Sequence, residues 1–208
     1  IDQDETLTAA EKAAQKQAVA TEADNAKQAI DKGQNADAVD KAKTDGIKAI
    51  DAQHQSGQAI KARQNDAKQA IDAEAAKVTK AIDQDPTLTT AEKKAQKQAV
   101  TDAATKAKAA IDAALVADAI DQALADGIKT IDTQHQSGIA LDKQKAAAKQ
   151  TIDAEAAKVS EAIDQDVTLT ADQKATQKQA VADEATKAKA AIDQASDADV
   201  VIQATTDG

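Results

Sequence analysis

The chain repeats itself with a period of 81 residues, and this period restricts the fold more than any single motif does. The tetrapeptide Ile1-Asp2-Gln3-Asp4 returns at residues 82–85 and again at residues 163–166. Residues 1–81 and 82–162 align without a gap and are identical at 51 of 81 positions, and a third copy runs from 163 to 208. Near-identical tandem copies are typical of arrays whose units pack only on their neighbours. The period therefore predicts a repetitive architecture in which length itself matters, as in a spacer.

Each copy opens with a signal for the start of a helix. In the pattern S/T-x-x-E/Q, a hydroxyl accepts a hydrogen bond from a free amide, and the acid or amide side chain accepts one from the capping residue's own N–H. The pattern occurs three times, at Thr8 and Glu11, at Thr89 and Glu92, and at Thr170 and Gln173. An apolar stripe with 4-3-4 spacing follows it, formed in the first copy by Val19, Ala23, Ala26 and Ile30. We expect this first helix to end near Gly33, where Gly33-Gln34-Asn35 suggests a turn.

Two further apolar stripes follow in each copy. In the first copy they consist of Val39, Ala42, Ile47 and Ile50, and then of Ile60, Ala67, Ile71, Val78 and Ile82. Because the helical spacing continues through residues 53–57, we expect one long helix from Ala36 to Ile82, shared between successive bundles. The alternative is a break at Ser56-Gly57, with Ser56 as the N-cap. Pro86, the only proline, lies where the third helix should already have ended.

The three stripes together predict the fold class. A single amphipathic helix cannot bury its own stripe, so three antiparallel segments should pack together. We expect an all-α fold of tandem antiparallel three-helix bundles that form an elongated, spectrin-like rod. Three helices that share one repeat would add about 40 Å of rod at a rise of ~1.5 Å per residue.

Composition argues against several kinds of partner. The chain has no Phe, Trp, Tyr, Cys or Met, which removes the side chains that stack on bases and sugars as well as disulfides and thiolate metal sites. The net charge of −10 is unfavourable for binding nucleic acid or an anionic membrane surface. No segment is apolar enough to cross a bilayer. We therefore expect no nucleic-acid partner, no membrane insertion and no small-molecule substrate.

The two histidines are the first candidates for a chemical site. His54 and His135 occupy equivalent positions, each three residues after an acid, Asp51 or Asp132. A His/Asp pair at helical spacing could bind a divalent metal or act as an acid–base pair. Each repeat supplies only one imidazole, however, so we expect a polar residue at the junction between bundles, and the alternative is a joint that is mildly sensitive to pH.

Two other motifs suggest function only at first sight. Asp83-x-Asp85-x-Thr87 resembles the start of a calcium-binding loop, but Leu88 and Lys94 stand where such a loop needs a glycine and a bidentate acid. The Asp-Gly pairs Asp45-Gly46, Asp126-Gly127 and Asp207-Gly208 lie within a helical period, so we expect Gly46 and Gly127 to be points of close packing or bending. We expect no catalytic, cofactor-binding or metal-binding residues, no cofactor and no enzymatic activity.

Several blocks of the sequence resemble a known family. These blocks are Leu-Thr-x-x-Glu-Lys at 7–12 and 88–93, Ala-Lys-Ala-Ala-Ile-Asp at 107–112, Asp-Gly-Ile-Lys-x-Ile at 126–131 and Ala-Lys-Gln-x-Ile-Asp at 148–153. They resemble the Ala-rich helical repeats, catalogued as a domain of unknown function, of giant cell-wall-anchored surface proteins of Gram-positive bacteria. Proteins of the extracellular-matrix-binding type in staphylococci, streptococci and lactobacilli carry such repeats. In the phase of that family, residues 1–56 form a partial repeat (the end of one helix plus two helices), 57–137 a complete three-helix repeat, and 138–208 a nearly complete one.

The resemblance implies an extracellular structural role. We expect a stalk or spacer in a fibrillar adhesin on the cell wall, of the kind that takes part in biofilms, in a parent protein covalently anchored to peptidoglycan. The alternative is an array whose helical faces bind a host matrix or serum protein, although the chain lacks aromatic anchors and has Arg63 as its only arginine. A further alternative is an Ala-rich protective protein that is unfolded in water.

Overall fold

A computed structural model describes all 208 residues, and every regular element is an α-helix. The eight helices are α1 (Ala9–Asp31), α2 (Ala36–Asp51), α3 (Ile60–Gln84), α4 (Thr90–Ala113), α5 (Ala117–Asp132), α6 (Leu141–Gln165), α7 (Ala171–Gln194) and α8 (Ala198–Asp207). Helices α1, α4 and α7 occupy the same place in the three copies, as do α2, α5 and α8, and as do α3 and α6. The predicted all-α class is confirmed.

The predicted helix starts are confirmed in all three copies. Thr8 caps α1: its hydroxyl accepts from the Glu11 amide at 3.3 Å, and its own amide donates to the Glu11 carboxylate at 2.7 Å. The same two bonds begin α4 at 3.3 and 2.8 Å and α7 at 3.3 and 2.9 Å. Each cap satisfies an amide that the helix itself leaves without a partner. The first helix ends one residue before its C-cap Lys32, next to Gly33 as expected.

The chain forms two compact units. The first contains residues 1–75 and 102–132, and the second contains residues 76–101 and 133–208. Helices α3 and α4 each contribute residues to both units.

In the second unit, α6, α7 and α8 each pack against the other two. Their shared core is small and consists almost entirely of alanine and β-branched residues: Ala148, Ile152, Ala185, Ala188, Ile192, Ala195 and Val201. Small side chains let helix axes approach closely, which partly compensates for the absence of large aromatic residues.

Glycine marks two close approaches between helices in the first unit. A Cβ added at Gly46 in α2 would collide with Ala26 Cβ on α1. At Gly127 in α5 it would lie 2.6 Å from Ala107 Cβ and 2.7 Å from Ile71 Cδ1. The prediction that these glycines are points of close packing is therefore confirmed, and they lie inside helices rather than in turns.

The prediction of one continuous helix from Ala36 to Ile82 is wrong. Helix α2 ends at Asp51 and α3 begins at Ile60, and the residues between them are not helical. The amides of Gln55 and Gly57 donate to side chains elsewhere in the chain instead of to carbonyls of the preceding turn. The break falls where the alternative placed it, but α3 does not begin at a Ser56 cap; its counterpart α6 begins after Ala140 without a side-chain cap.

The start of the chain also differs from the expectation. Residues 1–8, which we expected to include the end of a helix, form turns before α1. The Asp4 carboxylate accepts from the Thr6 amide in this segment, which favours a turn over a helix. The repeat boundaries at 56/57 and 137/138 stay a prediction.

Candidate functional site: the junction between repeats

The non-helical segments of neighbouring repeats meet in two equivalent clusters. The first junction comprises residues 4–9, 54–57 and 117–121 with Arg63, all in the first unit. The second junction comprises residues 85–90, 135–138 and 198–202 with Gln144, all in the second unit. Each contains the motifs that sequence analysis weighed as a histidine site and as a calcium loop.

Each junction starts from a tight turn made by an aspartate and the threonine two residues later. Asp4 Oδ1 accepts hydrogen bonds from the Thr6 amide at 2.9 Å and from its hydroxyl at 2.5 Å. The corresponding bonds from Thr87 to Asp85 are 2.9 and 2.5 Å long. This local arrangement uses the aspartate side chain as a backbone mimic, which explains why the segment turns without a glycine.

The histidines bond to these aspartates. His54 Nε2 lies 3.1 Å from Asp4 Oδ2, and His135 Nε2 lies 3.0 Å from Asp85 Oδ2. Because a carboxylate only accepts, the ring nitrogen that faces it carries a proton. The sequence spacing had drawn attention to Asp51 and Asp132, whereas the acid that meets each imidazole lies 50 residues away in the chain.

A second set of contacts fixes the backbone that follows each histidine. The Gln15 side chain binds Gln55 at both backbone groups, donating to its carbonyl at 2.7 Å and accepting from its amide at 3.3 Å. Gly57 donates to the Thr6 hydroxyl at 2.9 Å and passes so close that a Cβ there would collide with the Thr6 carbonyl oxygen. Gln96, Gln136, Thr87 and Gly138 repeat these contacts in the second junction.

Two helix N-termini then satisfy each other across each junction. In the first, the Ala117 amide of α5 donates to the Glu5 carbonyl at 3.0 Å, and the Ala9 amide of α1 donates to the Asp118 carboxylate at 2.9 Å. In the second, Ala198 donates to the Pro86 carbonyl at 2.9 Å and Thr90 donates to Asp199 at 2.8 Å. An acid in the first turn of one helix thus lies at the positive end of the other. Because each bond spans two copies of the repeat, this pair of contacts joins neighbouring repeats.

The hydrogen bonds at each turn stabilise the charged form of its aspartate. The hydroxyl and amide of Thr6, with His54, hold the pKa of Asp4 well below its usual range. At Asp85 burial acts in the opposite direction, but the bonds from Thr87 and His135 prevail and lower the pKa to about 2. Both aspartates are therefore ionised at neutral pH and act as acceptors within the junction.

The third copy forms the same Asp-x-Thr turn, at Asp166 and Thr168, without a histidine bonded to the aspartate. The Thr168 amide and hydroxyl donate to Asp166 at 2.8 and 2.6 Å, and these bonds lower the pKa of Asp166. Val167 next to it is 95% exposed. Leu169 is partly exposed, whereas its counterparts Leu7 and Leu88 are buried. The turn therefore forms from its own residues alone, whereas burial of the neighbouring leucine depends on segments distant in the sequence.

The acids of the calcium-like motif bond to neighbouring side chains of the protein. The carboxylate of Asp85 is engaged by Thr87 and His135, and Asp83 accepts from Lys97 at 2.7 Å. No group of three or more His, Cys, Asp or Glu side chains has the geometry to hold a metal ion. Sequence analysis missed Gln15, Thr6 and Asp118 as members of the junction, although each recurs unchanged or as an equivalent residue 81 positions later.

The surface carries open grooves. One, of about 600 Å³, lies between α6 and α7 beside the end of α8, and Ile152, Ala156, Val159 and Val181 line it. Another, of about 420 Å³, lies at the second junction beside Ile139 and Ile202. None of the eight helices has the length and apolar character needed to span a membrane.

The fold and the junctions define the class of this protein: an all-helical tandem-repeat protein whose neighbouring copies join through paired helix ends. The sequence profile of a family described as Domain of Unknown Function (DUF1542) matches residues 1–57 and 63–137. The chain therefore belongs to the DUF1542 family, which is known from surface proteins of Gram-positive bacteria. The resemblance noted from the sequence is confirmed. No curated protein and no solved structure matches the chain.

Proposed function

We propose that the chain is a stalk repeat of a bacterial surface adhesin, in which antiparallel three-helix bundles stack into a spectrin-like rod on the cell wall. The rod holds an adhesive region of the parent protein away from the cell, and the parent is anchored to peptidoglycan. The role is mechanical and needs neither a cofactor nor a catalytic group.

The observation that carries this proposal is that the same junction is built twice. Its bonds link residues 109 positions apart in the chain, from Ala9 to Asp118 and from Thr90 to Asp199. A flexible Gly/Ser linker would leave adjacent units free to rotate. Here backbone amides, a carboxylate and an imidazole join them instead. A junction with fixed geometry converts the number of repeats into length, which is what a spacer requires.

Packing in the second unit supports the three-helix arrangement. Helices α6, α7 and α8 are in mutual contact, and the connections between them, residues 166–170 and 195–197, are short. Short connections favour antiparallel neighbours.

Small-angle scattering on proteins with increasing numbers of repeats tests the proposal. We expect the maximum dimension to grow by about 40 Å per repeat, the axial rise of roughly 27 helical residues. The matched control replaces residues 53–58 and 134–139 by Gly/Ser segments of equal length, which should shorten the average dimension. A particle whose dimension does not increase with repeat number would rule out the spacer.

A binding array is the second candidate, favoured by two exposed apolar side chains at the second junction. Ile139 is 65% exposed and Ile202 is 54% exposed, and both line the groove there. A host matrix or serum protein would have to be retained by the immobilised chain and lost with the Ile139→Ser/Ile202→Ser variant. Retention that the variant does not change would point to non-specific adsorption.

A further inference from the structure

The longest run of differences between the two copies 1–81 and 82–162 lies at the start of the third helix. Residues 58–66 and 139–147 differ at eight of nine positions, with only Ala59 and Ala140 alike. On either side, residues 53–57 match 134–138 and residues 71–78 match 152–159 without a change. A block of substitutions between two conserved segments suggests a position-specific role.

In the first copy this block makes polar contacts. The Arg63 guanidinium donates to Asp121 on α5 at 2.8 and 3.0 Å, and it lies 3.7 Å from Glu11. The Arg63 side chain is only 16% exposed, so the two acids offset the cost of removing its positive charge from water. Within the same block, Gln58 donates to Asp66 at 2.6 Å.

In the second copy the partners have changed together. Gln144 replaces Arg63, and Ile202 replaces Asp121. Likewise Ile139 replaces Gln58, and Ala147 replaces Asp66. These four residues now line one apolar groove, and Gln144 donates to the carbonyls of Thr87 and Ile139 at 2.9 and 2.6 Å. Both polar contacts of the first copy are thus absent from the second: an ion pair is replaced by Gln144 and Ile202, and a hydrogen-bonded pair by Ile139 and Ala147.

At a third position of the block the side chain differs between the copies, but in both it donates to a carbonyl at the end of the neighbouring helix. The Gln64 amide donates to the carbonyls of Ile111 and Ala114 at the end of α4, at 3.2 and 3.0 Å. Its counterpart Lys145 donates to the Asp193 carbonyl at the end of α7 at 2.9 Å. The C-terminus of the neighbouring helix is therefore satisfied in both copies, by different side chains.

We propose that residues 58–66 with Asp121, and residues 139–147 with Ile202, form a pairing code that makes each third-type helix, α3 or α6, specific for one second-type helix of the following copy, α5 or α8. If α3 paired with α8 instead, the largely buried Arg63 would face Ile202 and lose its two hydrogen bonds to Asp121, and Asp121 would face Gln144 with no cation. Near-identical neighbours can exchange helices, and unpaired buried charge penalises that exchange. The inference builds on the proposed stacking of repeats and adds to it the means by which repeats keep their order.

The test replaces the residues of the first pair by those of the second, singly and together, in the full chain. The variants are Arg63→Gln, Asp121→Ile and the double variant, which carries the second copy's pair in the first junction. His54 and His135 give one imidazole NMR signal per junction, so urea unfolding can be followed at each separately, with the second junction as the internal control. Asp121→Asn serves as a milder substitute for Asp121→Ile if that variant does not fold.

We expect each single variant to lower the urea midpoint reported by His54 and the double variant to recover part of that loss. The coupling between the two positions should be about threefold or more in the unfolding equilibrium constant, as for residues in direct contact. The His135 midpoint should not move. Additive effects of the two substitutions would overturn the code and leave the scattering test of the spacer unaffected.

A refolding experiment tests specificity directly. The variant Gln144→Arg/Ile202→Asp gives both junctions the same pair, so pairing of α3 with α8, or of α6 with α5, is no longer penalised within or between chains. After refolding from urea at high concentration, we expect severalfold more dimer by light scattering than from the unchanged chain. A dimer fraction equal to or below that of the unchanged chain would contradict the proposal.

Discussion

The two junctions are built from the same scaffold but closed by different side chains. The Asp-x-Thr turn, the imidazole, the glycine and the paired helix ends agree in both to within a few tenths of an ångström. Around this scaffold, the first junction has an ion pair between the largely buried Arg63 and the half-exposed Asp121, and the second has Ile139 and Ile202 beside a groove. The geometry of a junction therefore does not depend on which side chains occupy the variable positions. The constant residues position the repeats, and the variable residues distinguish one junction from the other.

The largest expected difference is in the loss of stability when the leucine of the turn is truncated, at the two junctions compared with the third copy. Leu7 is 3% exposed and Leu88 is 2% exposed, whereas Leu169 is partly exposed. Truncation to alanine should cost about 2–5 kcal/mol at a buried leucine because it leaves a cavity. We expect Leu7→Ala and Leu88→Ala to destabilise their junctions to that extent, and Leu169→Ala to cost clearly less. Urea unfolding followed by circular dichroism and by the histidine signals measures all three, and equal losses would contradict the distinction.

A smaller effect should appear where the backbones touch. An added methyl group at Gly57 or Gly138 would meet a threonine carbonyl oxygen, and overpacking of this kind costs about 1–3 kcal/mol. Gly57→Ala should broaden or shift the His54 signal and lower its midpoint, and Gly138→Ala should do the same at His135. Ala52→Ser, at an exposed site in the same linker, is the matched control and should change stability by less than about 0.5 kcal/mol. Loss of both histidine midpoints in either single variant would show that the junctions are not independent.

Acid should weaken the junctions through their aspartates. The pKa of Asp85 is lowered from 3.8 to about 2 in the folded chain, so its carboxylate contributes stability that is fully present above pH 4 and is lost as the pH falls towards 2. We expect the midpoint reported by His135 to decrease over that interval. Asp85→Asn should be less stable at pH 7 and should show a flatter profile in acid. The matched variant Asp166→Asn, in the turn without a histidine partner, should change stability less at neutral pH.

The smallest effect concerns the local caps, which should not distinguish the copies at all. Replacing an N-cap threonine by alanine costs about 1 kcal/mol. Thr8→Ala, Thr89→Ala and Thr170→Ala should therefore cause similar losses in thermal stability, measured by circular dichroism. A much smaller loss at Thr170 would mean that the caps depend on the packing that the third copy lacks.

Local interactions explain which features could be predicted from the sequence. The capping boxes, the end of α1 beside Gly33 and the loop at Pro86 depend on residues within a few positions of one another, and all three predictions are confirmed. The close-packed glycines were also predictable, because a glycine inside a helical stripe has few other uses. The family resemblance rested on blocks of sequence and needed no coordinates.

The break between α2 and α3 shows where such reasoning fails. Apolar spacing continues through residues 53–57, and nothing local forbids a helix there. The amides of Gln55 and Gly57 are instead taken by Gln15 and Thr6, which lie 40 and 51 residues away. Periodicity does not report which distant side chains compete for an amide. The acid partners of the histidines were misjudged for the same reason.

The sequence by itself determined the period, the helical class, the helix starts and the Asp-x-Thr turns, because each depends on contacts within one or two turns of chain. Only the tertiary structure decided that the linker is not helical, that the imidazoles meet Asp4 and Asp85, and that helix N-termini pair across copies. Those contacts join residues 40 to 109 positions apart. They form only when packing has already brought the segments together, so no local pattern encodes them.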